Sequence, residues 1–150
     1  MATTTGRYSP AWIRALLAQP WIGALVRLAL VSAFLIGGIN KAMHFDAAIA
    51  EQARFGLHPP ALWAALAVVV EIGGSLCIVF RRFTWLGAGG LGMLTLVAMA
   101  VANDFWNQTG AARFMALNSF FEHLGLIAAL VLATRLADAT YPAGNGRATR

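Results

Sequence analysis

Charge is what this chain has least of. Of its 150 residues only 11% are Asp, Glu, Lys or Arg, while 59% are hydrophobic, against about 25% charged residues in an ordinary soluble domain. That excludes a cytosolic globule. Cysteine is nearly missing too: Cys77 stands alone inside an apolar segment, so the chain offers no internal disulfide, no CxxC redox pair and no Cys-ligated iron–sulfur cluster of its own. Any redox role needs a bound cofactor or a partner. No GxSxG, HExxH or Walker pattern occurs, and GGS at 73–75 follows no strand, so it reads as a point of close helix packing rather than a phosphate loop. The net charge of +5 and pI near 10.7 would suit a nucleic-acid binder, but the basic residues are scattered at the ends of apolar runs instead of clustering with aromatics on one face. Nucleic acid is not an expected partner.

What the chain does have is four long apolar runs. The most informative is Pro60 to Arg82, which carries one carboxylate, Glu71, in its middle. At about 1.5 Å rise per residue it is long enough to cross a hydrocarbon core of about 30 Å. A lone carboxylate at that depth costs about 2.5–3.5 kcal/mol, so Glu71 is expected to be protonated, paired or facing an aqueous cavity. The other spans are Trp21 to about Ile39, interrupted by Arg27; Phe83 to about Asn103, with glycines at 87, 89, 90 and 92; and about Leu117 to Ala137. The fold expected is all-α, a transmembrane four-helix bundle over residues 21–137 in contact with the lipid bilayer.

Flanking pieces fit that plan. Within residues 1–20, SPAWIRALLAQP offers Ser9 as an N-cap and Pro10 at the first helical position, and Trp12, Ile13, Leu16 and Leu17 at helical spacing, the pattern of a short interfacial helix. It does not read as a signal peptide, because the apolar stretch that follows is long, carries Arg27 and lacks a small-x-small cleavage site. Between the first two spans, Phe45, Ile49 and Ala53 recur at helical spacing opposite Asp46, Glu51 and Arg54, predicting an amphipathic helix on the membrane surface or folded over the bundle. Residues 138–150 are Gly/Pro-rich and basic and read as a flexible tail. Seven arginines (7, 14, 81, 82, 135, 147 and 150) fall on the side of the termini, against Lys41, Arg54 and Arg113 opposite. Both termini are therefore expected in the cytoplasm, with the bundle in a bacterial inner (plasma) membrane.

Two constellations stand out. With Trp21 and Phe80 taken as level ends, Arg27 lies about 9 Å deep and Glu71 about 14 Å deep, so an Arg27–Glu71 structural charge pair is expected between neighbouring antiparallel helices. The blander alternatives are an Arg27 that snorkels to the interface and a protonated Glu71. At the other membrane face, Asn40, Lys41, His44 and Asp46 follow the first span, Asp104, Trp106 and Asn107 follow the third, and Glu122 and His123 open the fourth. Lys41, His44, Asp104, Trp106, Glu122 and His123 are the ligand-binding candidates, suited to a quinone carbonyl, an anion, or a metal through His44, His123 and a carboxylate. Glu71, Glu122 and His123 are the proton-transfer candidates. An interfacial polar belt needs no ligand at all, and no metal is carried into the expected site.

These residues together resemble the DoxX family of small four-helix membrane proteins. The resemblance rests on Arg27 in the first span, GGINK with Lys41 and the following Phe45, Gly56 and Pro59–Pro60 before the second span, EIGG from Glu71 to Gly74, Arg82 after it, and FFEHLGL opening the fourth. It covers most of residues 21–137. The chain departs from the pattern in IVFRR, where a glycine is expected before the arginine, and at Glu122, where a basic or amide residue is expected. What the resemblance implies is a membrane subunit or quinone-interacting component of an oxidoreductase system, with a quinone as candidate cofactor and a partner oxidoreductase subunit carrying the redox centre. Self-association is a separate expectation. The rival class is a non-enzymatic membrane scaffold or small-solute carrier.

Overall fold

The computed structural model describes residues 9–140. Six helices follow one another: α1 (Ala11–Leu17), α2 (Pro20–Met43), α3 (Phe45–Arg54), α4 (Pro60–Val79), α5 (Thr84–Ala102) and α6 (Gly110–Thr140), with no strand among the described residues. α2, α4, α5 and α6 are each long and apolar enough to cross a membrane, and they alternate in direction. This is an all-α, multi-pass membrane fold.

Local sequence sets the boundaries. Pro20 and Pro60 open α2 and α4 at positions where a missing N–H costs nothing. Gly56, at φ +73°, ends α3, and the Leu57 N–H returns to the Gln52 carbonyl, the left-handed cap that glycine adopts without steric cost. After α4 the same manoeuvre is made by a non-glycine: Arg81 takes φ +58° while the Arg82 N–H bonds the Cys77 carbonyl. The absent glycine of IVFRR is thus replaced by an arginine in the same kind of backbone conformation, at a strain of order 1 kcal/mol or more.

Three elements differ from the sequence expectation, one of them at both ends. Ser9 does not cap α1; Pro10 occupies that position, and the Ser9 carbonyl accepts from the Arg14 guanidinium instead. α3 folds over α4 and buries Ala48 and Gln52, while Phe45 and Ala53 remain exposed, so its inward face is rotated from the one its apolar spacing suggested. α6 begins at Gly110, not near Leu117, because AARFMALN contains good helix formers and no proline. At its other end it runs through Thr140, taking 138–140 from the expected tail. The remainder of that tail, and residues 1–8 of the N-terminal segment, lie outside the described residues.

α4 and α5 form the centre; α2 flanks α4, α6 flanks α5, and α2 touches α6 little. The core gathers Val31, Ile78, Ala88, Leu91 and Leu130, at least one residue from every spanning helix. At the level of Leu91, α4 and α5 are nearly in backbone contact: a β-carbon on Gly87 would meet the Gly74 carbonyl oxygen at 2.5 Å. Toward the α3 end the helices part.

Candidate functional site

The site begins with a glycine pair. Gly37 and Gly38 let α2 press on α4 at Glu71: a β-carbon on Gly38 would lie 2.9 Å from Glu71 Cβ and 2.9 Å from Ile72 Cγ1. One turn further along α2, Lys41 reaches the carboxylate, its Nζ 2.8 Å from Oε1 and 3.1 Å from Oε2 of Glu71. The side chains are 20% and 10% exposed, so this is a largely buried ion pair, in which each charge offsets the desolvation of the other.

The expected Arg27–Glu71 pair is therefore corrected. Arg27 donates from Nε to the Val79 carbonyl at 3.4 Å, one of the carbonyls that the end of α4 leaves unpaired, and its guanidinium lies over Gly23. The error is one of register. With Gly38 opposite Glu71 and Arg27 opposite Val79, Arg27 sits about 16 Å along α2 from the carboxylate, beyond the reach of its side chain. α2 has 24 residues against 20 in α4, and it starts beyond the end of α4, so Trp21 and Phe80 are not level.

Above the ion pair, between α3, α4 and α5, lies a cavity of about 320 Å³, within the size class of small-molecule sites. Lys41 and Glu71 close its inner end, Glu51 and Gln52 of α3 and Phe55 just beyond it line the α3 side, and Trp63, Val70, Met93 and Val97 are among its apolar walls. α6 contributes nothing to it. A hydrogen-bonding head would meet Lys41 and Glu71, and an apolar body would meet α4 and α5.

Lys41 is the one ligand-binding candidate that lines this cavity, together with Glu71 from the proton-transfer candidates. The others are held by their own elements. His44 contacts the Asn40 carbonyl at 3.2 Å, Asp104 accepts from Asn107 Nδ2 at 2.7 Å, and His123 Nδ1 lies 2.6 Å from the Ser119 carbonyl. Trp106 stacks edge-on against Phe105, whose ring in turn meets Phe120 of α6. Glu122 is exposed on α6, about three turns from the helix start instead of one. The structure does not gather these residues into one pocket. No group of three or more His, Cys, Asp or Glu side chains among the described residues is placed to hold a metal.

Sequence reasoning missed Glu51, Gln52 and Trp63, because two separate helices, α3 and α4, bring them to one cavity. It also missed the partnership of Lys41 with Glu71. The available signal was GGxxK in α2 facing EIGG in α4: paired glycines mark a close approach, and the lysine one turn on is the nearest cation.

The DoxX family model matches residues 23–104, a stretch that contains every residue lining the cavity. Inner membrane protein YphA of Escherichia coli (strain K12) is 30% identical over 115 residues, covering 77% of this chain and 82% of that protein. No solved structure matches. With the family model spanning more than half of the sequence and this relative aligned along most of both lengths, the chain belongs to the DoxX family.

Proposed function

We propose that this chain is a quinone-interacting membrane subunit of an oxidoreductase system, set in an inner (plasma) membrane with both termini cytoplasmic and depending on a partner subunit for the redox centre. The observation that carries the reading is the apolar cavity of about 320 Å³ with Lys41 and Glu71 at its inner end. A quinone ring matches an apolar slot, and its carbonyl oxygen matches an ammonium donor. The inner-membrane placement draws on the name of the Escherichia coli relative and on the basic residues gathered at one side.

Trp63 supplies the test, because it lines the cavity and quinones quench indole fluorescence. Titrating menadione into the purified protein in lipid nanodiscs should give saturable quenching, and Trp63→Phe should remove the saturable part. Linear, collisional quenching in the wild-type protein would replace the quinone reading with a scaffold whose ion pair serves only to hold α2 against α4. For orientation, reporter fusions after Arg82 should read as cytoplasmic and fusions at Arg54 as external; the reverse pattern would invert the topology.

A further inference from the structure

Three charged groups line the cavity: Lys41, Glu71 and Glu51. Lys41 and Glu71 neutralise each other. The carboxylate of Glu51 has no hydrogen-bond or ion-pair partner among the described residues, so the cavity lining carries one uncompensated negative charge. An anion entering would leave the hydrocarbon or the interface for a slot that repels it, with solvent at the exposed Glu51 screening part of that repulsion and the apolar walls of α4 and α5 screening little.

The hydrogen-bonding inventory narrows the occupant further. An ammonium has three N–H donors. Two of those on Lys41 are engaged by the two oxygens of Glu71, which leaves one N–H for an external acceptor on a side chain that lines the cavity. The entry route is lateral. Met93 and Leu66 line the cavity yet are 62% and 45% exposed, and both stand on membrane-spanning helices, so the opening between α4 and α5 faces the hydrocarbon.

Resting on the cavity being the ligand site, but not on the ligand being a quinone, we infer that the groove excludes anions: it takes an uncharged, membrane-dissolved compound whose carbonyl-type oxygen accepts the third N–H of Lys41, and Glu51 turns anions away. Glu51 is then the specificity-determining residue, on the α3 side and apart from the ion pair that holds the helices together. Its exposure on α3 makes Glu51→Gln a substitution the fold tolerates.

Three compounds test this on the full chain in nanodiscs of zwitterionic lipid, read by Trp63-dependent quenching and referred to concentration in the bilayer. Menadione and benzophenone are uncharged ketones, and lawsone is the hydroxyl-bearing naphthoquinone that is anionic at neutral pH. The uncharged compounds should bind at least about ten-fold more tightly than lawsone, and Glu51→Gln should narrow that gap below about three-fold by improving lawsone alone. Benzophenone binding without menadione binding would leave the selectivity standing while removing the quinone reading. The inference is overturned if lawsone binds the wild-type protein as tightly as the uncharged compounds, if neither uncharged compound saturates, or if Glu51→Gln leaves the gap unchanged.

Discussion

Replacing Lys41 by Met should destabilise the protein by about 3–5 kcal/mol, because it leaves the Glu71 carboxylate unpaired in a largely buried position. Glu71→Leu strands the ammonium instead, and it should cost somewhat less, since Lys41 is the more exposed partner and stands in the last turn of α2, from which a long side chain can turn toward the interface. The double variant Lys41→Met with Glu71→Leu removes both desolvation penalties and should be more stable than the Lys41→Met single variant. Reversible unfolding in mixed micelles, followed by circular dichroism, measures all three against wild type. Losses that simply add would show that the 2.8 Å contact contributes no coupling. The same cycle built on Arg27 and Glu71 should be additive, because those residues do not meet.

The second large effect is steric. Gly87→Ala would place a β-carbon 2.5 Å from the Gly74 carbonyl oxygen and 2.8 Å from Cys77 Cβ. Neither neighbour is a flexible side-chain end, so α4 and α5 must separate where they are closest. A cost near the upper end of the overpacking range, about 3 kcal/mol, is expected. Gly89, two residues along, has nothing within 4 Å of its would-be β-carbon. Gly89→Ala should therefore be neutral or stabilising by up to about 1 kcal/mol through helix propensity. Equal losses from the two substitutions would indicate a general demand for glycine in α5 instead of one contact at Gly87. Parting α4 from α5 would also widen the groove, so Gly87→Ala should loosen menadione binding where Gly89→Ala does not.

The architecture was legible because its signal is one-dimensional. A run of about 20 apolar residues is a span whatever it packs against, and Pro59–Pro60 and Gly56 punctuate the chain by backbone geometry that needs no partner. The site was legible only in part, because it depends on how far one helix slides along another. Glu71 announced its need for a partner, but choosing between Arg27 and Lys41 required the axial offset of α2 on α4, which is set by Gly38 meeting Glu71 and Ile72. The outer polar cluster failed for a related reason. Residues that share a membrane face in projection, such as His44 and His123, can each be satisfied by their own helix, and nothing in their spacing distinguishes that outcome from a shared pocket. α3 showed its amphipathic character but not which side faces inward, because its core contacts are an alanine and a glutamine.

α6 has 31 residues, which is about 46 Å of helix against a hydrocarbon core of about 30 Å. It leans chiefly on α5, so neighbouring helices fix its inclination only along one side. The surplus length must be absorbed by tilting or by emergence into the headgroups, and the balance between the two shifts with the thickness of the surrounding bilayer. Hydrophobic mismatch thus acts on α6 selectively: a thinner membrane inclines it against the Phe105–Phe120 ring contact, while the α2–α4–α5 unit that contains the groove keeps its own length and its own packing.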